Sequence, residues 1–162
     1  MRKLLIPLAL VSVVAGAVGC SNADFSGSYT VSLTNRENAC NFSNWSNGQM
    51  TSNVGLNISQ NGNAVSGEVT GLSAAYLDIV IGGHIFTGTV SGDTIEMRLA
   101  GTRSQSSGNC DYTIDLLVRG TLTVDALQGE MLYDPKTDGA PDCGVLSTCV
   151  NVQAFSGSRP PK

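Results

Sequence analysis

The sequence predicts an all-β domain, an antiparallel up-and-down meander of about eight strands that closes into a small barrel after an N-terminal signal peptide. Apolar and polar residues alternate with a period of two along most of the chain. Turn sequences such as Asn61-Gly62 separate the alternating runs. The same motif, Phe-Ser-Gly-Ser, stands near both ends of the domain, at 25–28 and at 155–158. These three observations together favour a sheet whose first and last strands meet.

Residues 1–19 have the composition of a secretory signal peptide. Arg2 and Lys3 precede the uncharged run Leu4–Val18, and small residues stand just before Cys20. The run is shorter than the ~20 residues that a membrane-spanning helix needs. We therefore expect an export signal rather than a membrane-spanning anchor.

The end of this segment, Ala17-Val18-Gly19-Cys20, resembles the bacterial lipobox. The resemblance implies that the Cys20 thiol receives a diacylglycerol, that cleavage occurs before Cys20, and that the new amino group is acylated. Several acyl chains anchor a protein stably, since each buried CH₂ contributes about 0.8 kcal/mol. Ser21 rather than Asp after the cysteine implies sorting to the outer membrane. The expected location is therefore the bacterial cell envelope, with residues 20–25 as lipidated cysteine and tether.

The remaining chain is predicted to form one barrel domain over residues 26–158, followed by a tail at 159–162. Alternation gives each strand one apolar and one solvated face, which is typical of antiparallel sheets. Segment Tyr76–Ile81 is either a ninth strand or a short helical turn. The predicted strands lie near residues 26–34, 54–60, 64–70, 84–90, 93–103, 110–124, 127–134 and 149–157.

This layout resembles a lipocalin-like or avidin-like barrel, with Gly27-Ser28-Tyr29 in the first strand and successive hairpins across residues 25–157. Tyr29 stands where the lipocalin motif has Trp. The chain is also similar to small, functionally uncharacterised bacterial lipoproteins that share this strand plan after a lipobox. Pairing of the first and last strands would remove the exposed sheet edges that invite aggregation.

Four cysteines remain after Cys20, and an even number in an exported protein predicts two disulfides. They are Cys40, Cys110, Cys143 and Cys149, which allow three connectivities. We favour Cys143–Cys149, which closes a short loop, together with Cys40–Cys110. A four-thiolate zinc site is disfavoured because no Cys-x₂-Cys pair is present.

The composition disfavours several functional classes. The whole chain carries 13 Asp and Glu against nine Lys and Arg, which leaves no basic footprint for nucleic acid. His84 is the one histidine, and no Gly-x-Ser-x-Gly motif surrounds a serine. We therefore predict a protein that is not an enzyme, with no catalytic residue, no metal and no cofactor.

The segment Asp134–Asp142 has the outline of a calcium loop. Lys136 occupies the third position of the EF-hand pattern, where an oxygen ligand is needed, and Val145 occupies the twelfth instead of Glu. We interpret Asp138-Gly139 as a turn, while an irregular calcium loop remains the alternative.

The long connection between Asn35 and Asn53 is the most informative stretch for function, because long loops are often functional. It is rich in Asn and contains Phe42, Asn44 and Trp45, which we take as candidate ligand-binding residues. Aromatic rings and amides suit a small apolar molecule or a glycan at the rim. In the alternative interpretation Phe42 and Trp45 plug one end of the barrel. Whether the interior is filled or hollow stays open at eight strands.

These observations predict a lipid-anchored envelope protein that acts as a non-catalytic binding module for a small molecule, a glycan or a protein. The alternative is a structural or protein-interaction lipoprotein of the envelope without a small-molecule ligand.

The lipobox resemblance generates a direct prediction. Cells that express the full chain should incorporate labelled palmitate into the protein, and Cys20→Ser should abolish the label. Cys110→Ser, which changes a cysteine outside the lipobox, should retain it. Labelling that persists in Cys20→Ser would show that the resemblance is misleading.

Overall fold

The computed structural model describes residues 22–161, and over this range the predicted antiparallel barrel is confirmed. Eight strands form the barrel, and one short additional strand pairs outside it. The predictions for the signal peptide 1–19 and for Cys20 lie outside the described residues. The elements are β1 Gly27–Asn38, β2 Met50–Asn61, β3 Ala64–Thr70, α1 Leu72–Val80, β4 Ile85–Ser91, β5 Thr94–Leu99, β6 Gln105–Ser107, β7 Cys110–Thr123, β8 Ala126–Thr137, a 3-10 segment Pro141–Ser147, and β9 Asn151–Ser158.

The helical interpretation of Tyr76–Ile81 is confirmed, because α1 spans most of this segment between β3 and β4. β1 and β2 extend beyond their predicted bounds toward the long loop that joins them. Apart from Met50, the residues at these strand ends are polar, so backbone pairing rather than an apolar pattern extends the strands.

The sheet closes as the repeated motif suggests. β1 pairs with β9 from Thr30↔Ser158 to Asn38↔Asn151, and β5 pairs with β7. All barrel pairings are antiparallel between strands that neighbour each other around the meander. Closure pairs the backbone groups that an open sheet would leave at its edges.

The two ends of the barrel differ. The hairpin turns after β2, β4 and β7 lie at one end, which we call the closed end. The N-terminal segment runs there, since Ala23 N donates to Gly92 O (2.7 Å) and Phe25 N donates to Gln60 Oε1 (2.8 Å). The opposite end, which we call the open end, carries the loop 39–49, α1 and the 3-10 segment.

Arg159 seals the closed end immediately after β9. Its guanidinium pairs with Asp125 at 3.0 Å and donates to the carbonyl oxygens of Asp24 and Ser26, each at 2.7 Å. The guanidinium carbon also lies 5.6 Å from the centre of the Tyr29 ring, within range of a cation–π contact. Arg159 is 9% exposed, so these contacts replace its hydration.

A glycine pair shapes the interior near the closed end. Gly120 of β7 lies opposite Gly129 of β8, and the ring of Phe155 packs against both. A Cβ atom at Gly129 would lie 2.0 Å from the Arg119 carbonyl oxygen and 2.8 Å from Phe155 Cζ. The missing side chains therefore provide the space that the aromatic ring occupies.

The disulfides pair differently from the prediction: Cys40 bonds Cys149, and Cys110 bonds Cys143. The predicted pairs Cys143–Cys149 and Cys40–Cys110 are wrong. Barrel closure explains the first bridge. Asn38 lies opposite Asn151, and antiparallel register continued by two residues brings Cys40 beside Cys149, with 5.1 Å between their Cα atoms.

The second bridge follows from the pairing of β7 with β8. Tyr112 near the start of β7 lies opposite Thr137 at the end of β8. The 3-10 segment that follows β8 carries Cys143 back to Cys110, with 4.8 Å between their Cα atoms. Both disulfides thus lie at the open end, where they tie the loop 39–49 and the 3-10 segment to the barrel.

Disulfide removal should destabilise the domain in the order of loop length. Replacing Cys40 and Cys149 together by Ser should lower the free energy of unfolding by about 5 kcal/mol, because the bridge spans a sequence separation of 109. Replacing Cys110 and Cys143 should cost about 4 kcal/mol for a separation of 33. Urea denaturation of the two double variants measures which bridge contributes more to the free energy of unfolding. Non-reducing peptide mapping that finds a Cys143–Cys149 link would contradict the disulfide pairing.

Arg159→Met should lower the free energy of unfolding by about 2–4 kcal/mol, because it removes the donor shared by two partly buried carbonyl oxygens and the Asp125 carboxylate. Arg98→Met is the control. Its side chain is 67% exposed and pairs with Glu96 at the surface, so we expect a change within about 0.5 kcal/mol. Equal destabilisation of the two variants would show that Arg159 does not seal the barrel.

Candidate ligand-binding cavity

The open half of the barrel contains a cavity of about 790 Å³. Side chains alternate between the two faces of each strand, so each barrel strand directs apolar side chains inward. Four adjacent strands, for example, contribute Val31, Val54, Val69 and Phe86 to the cavity wall. Exposed residues such as Leu72 also line the cavity, which therefore reaches solvent at the open end. Among the described residues that line it, none is Asp, Glu, Lys, Arg or His.

All three candidate residues from the long loop line this cavity: Phe42, Asn44 and Trp45. Asn38 at the end of β1 positions them. Its side chain accepts a hydrogen bond from Phe42 N (2.8 Å) and donates to the carbonyl oxygens of Phe42 (2.9 Å) and Trp45 (3.3 Å). Together with the Cys40–Cys149 bridge, these bonds hold the loop against the cavity mouth.

Trp45 contributes to one wall of the cavity. Its ring meets Tyr133 edge to face, with 5.2 Å between ring centres and 81° between planes. Within residues 22–161, the buried Trp45 Nε1 has no hydrogen-bond partner. A buried N–H without a partner costs about 1–3 kcal/mol of desolvation.

A chain of polar side chains crosses the wall next to Trp45. Tyr133 O–H donates to Gln153 Oε1 at 2.9 Å, and Gln153 Nε2 donates to Asn35 Oδ1 at 2.7 Å. Burial raises the pKa of the Tyr133 hydroxyl well above its usual value, and Tyr76 raises it further. Tyr133 therefore stays neutral and remains a donor at physiological pH.

Helix α1 covers part of the cavity. Leu77, Val80 and Ile81 line the cavity, and Ile81 is anchored because its carbonyl oxygen accepts from Thr102 N (2.7 Å) and Arg103 N (3.0 Å). Helix α1 also exposes Leu72, Tyr76 and Ile79, which we call the outer stripe, and the first two of these also line the cavity. These residues follow helical spacing, with Leu72 92% and Ile79 74% exposed.

His84 does not line the cavity. Its Nδ1 lies 2.7 Å from Asp78 of α1, and its Nε2 lies 3.9 Å from Glu68 of β3. Its position between these two carboxylates makes it a connection between α1 and the adjacent strand.

The acidic segment after β8 makes contacts within the protein. Asp138 Oδ1 accepts from Ala140 N at 3.0 Å, which is the turn that the sequence predicts there. Asp142 Oδ2 accepts from Asn109 Nδ2 at 2.7 Å, and Asp134 pairs with Lys136. Cys110, Asp138 and Cys143 lie close together, but both cysteines are used in their disulfide.

Sequence analysis missed Asn35, Gln153 and Tyr133. Asn35 shares the inward phase of Val31 and Leu33 in β1, and Gln153 shares that of Phe155 in β9. A polar residue in the inward phase of an apolar strand is the signal that could have identified them.

Comparison with protein-family models, curated proteins and solved structures gives no match to this chain. In the part of the chain that the structure describes, no helix has the length and apolarity required to cross a membrane.

Proposed function

We propose that this protein is a non-catalytic binding protein that holds a small, neutral and mainly apolar molecule in the open half of its barrel. The observation that carries this proposal is the cavity of about 790 Å³ with an uncharged lining. Its volume lies within the range of small-molecule sites, which are mostly apolar and carry a few convergent polar groups.

The lining supports a neutral ligand over a charged one. An ion transferred from water into this cavity would find no opposite charge among the described lining residues. Burial of an unpaired charge costs several kcal/mol. A glycan is less well suited, because its many hydroxyl groups would need partners along walls made of Val54, Val69 and similar side chains.

The proposed location is the bacterial cell envelope, with a lipid on Cys20 as the anchor and the outer membrane as the expected destination. Two disulfides within one small domain are consistent with an oxidising, exported environment. The protein would thus keep a ligand-binding barrel at the membrane that its acyl chains enter.

One observation favours a second candidate function, an interaction lipoprotein without a small-molecule ligand. The outer stripe of Leu72, Tyr76 and Ile79 leaves large apolar side chains exposed on α1. Clustered exposed apolar residues are typical of interaction surfaces. Crosslinking in intact cells from position 79 to a reproducible protein partner, combined with no ligand binding, would favour this function.

Titration with the neutral fluorophore N-phenyl-1-naphthylamine tests the binding function. Wild-type protein should bind one equivalent saturably, with energy transfer from Trp45, the single tryptophan of the chain. Leu56→Glu should weaken binding about tenfold or more, because it places a carboxylate in the apolar cavity wall.

The matched control is Ser59→Glu, which adds the same charge at an exposed position of the same strand and should leave the affinity unchanged. Thermal melts establish that both variants are folded. No saturable binding by wild-type protein, or equal binding by the two variants, would contradict a ligand site in the lumen.

A further inference from the structure

We infer that the bound molecule carries a neutral hydrogen-bond acceptor, a carbonyl or hydroxyl oxygen, which is held by the side chain of Asn35. The inference rests on the proposed function and names the polar group of the ligand. It is carried by the direction and burial of the hydrogen-bond chain that joins Tyr133, Gln153 and Asn35.

The direction of the hydrogen bonds in this chain leaves an unused donor on its last side chain. An amide side chain accepts through its oxygen and donates through its nitrogen. Gln153 accepts from Tyr133 and donates to the oxygen of Asn35, so Asn35 Nδ2 is the terminal donor. Asn35 and Gln153 both line the cavity, and they are only 8% and 7% exposed.

Asn35 is fixed by its backbone as well as by its side chain. Its N–H donates to Gln49 O at 2.9 Å, and its carbonyl oxygen accepts from Gly48 N at 2.8 Å. Both bonds tie it to the end of the long loop. A donor held in place before the ligand arrives loses little conformational entropy on binding, which favours a specific contact.

The position of the hydrogen-bond chain near the open end orients the ligand. Asn35 lies near the end of β1 and Gln153 near the start of β9, both toward the open end. The deeper wall is apolar, with Phe86, Ile95 and Leu127 among its residues. The acceptor oxygen of the ligand therefore faces the mouth, and its apolar body lies toward the closed end.

The same lining excludes two common amphiphiles. A fatty acid anion would need a cation, and an alkylammonium ion would need a carboxylate, and neither lies among the described cavity residues. The neutral Tyr133 and the two amides discriminate by hydrogen bonding alone. A site of this kind rejects an analogue that lacks the hydrogen-bonding group, because its own buried groups are then left unpaired.

The test is displacement of N-phenyl-1-naphthylamine by three compounds of equal chain length: 2-decanone, decane and decanoate. Wild-type protein should bind 2-decanone about tenfold more tightly than decane, as one net hydrogen bond provides, and should bind decanoate more weakly than the ketone. Asn35→Leu should remove the preference for the ketone while decane still binds.

Gln153→Leu is the second variant, and it serves as the test if Asn35→Leu does not fold. It removes the central member of the hydrogen-bond chain and should reduce the same preference. Gln128→Leu is the matched control, since it replaces an exposed amide of β8 that does not line the cavity and should retain the wild-type preference. The ketone-to-alkane ratio reports on the polar contact, and a purely structural role of Asn35 would not change it in a folded variant.

The outcomes separate this inference from the function on which it rests. If wild-type protein does not bind the fluorophore, the proposed function fails. If it binds the fluorophore but 2-decanone and decane displace it equally, or decanoate displaces it best, the function stands and the assignment of the acceptor to Asn35 is overturned.

Discussion

The structure depends on the hydrogen-bonded pairing of β1 with β9, the first and last strands of the chain. This pairing joins the two ends of a sheet that would otherwise expose unpaired backbone groups on both edges. It also sets Asn35 opposite Gln153, two members of the polar chain in the cavity wall. Extended toward the open end it leads to the Cys40–Cys149 bridge, and toward the closed end it leads to Arg159. One strand pairing therefore determines part of the cavity wall, a disulfide and the seal.

The interior of an eight-stranded barrel is either filled by side chains or just wide enough to hold one small ligand. The two halves of this barrel differ in the same way. Near the closed end the interior is filled by aromatic rings, with Phe25 and Tyr29 fully buried and Phe155 packed on a glycine pair. In the open half, short side chains such as Val54 and Val69 line the walls, and the interior stays hollow. Strand number alone therefore does not decide whether this interior is filled or hollow.

The period-two alternation is sufficient to predict the barrel, because strands with one apolar face each require a common interior. The repeated Phe-Ser-Gly-Ser motif predicts its closure, whereas the predicted disulfide pairs are wrong. Closeness in sequence favoured a short loop, whereas strand register decides which cysteines meet. The three loop residues of the site could be predicted from the composition of a long connection. Asn35 and Gln153 could not, since an inward-facing amide is recognisable only once the phase of its strand is established.

The attachment of the N-terminal segment determines how an anchored barrel would stand on a bilayer. Asn22 Oδ1 accepts from Gly92 N at the closed end, and Ala23 N donates to Gly92 O. Asn22 is the second residue after Cys20 in the sequence, so a chain anchored through Cys20, as proposed above, would have a short linker between lipid and barrel. Such a linker would keep the closed end near the lipid headgroups and the open end with its cavity mouth on the far side. The protein would then exchange its proposed ligand on the aqueous side, away from the membrane beneath it.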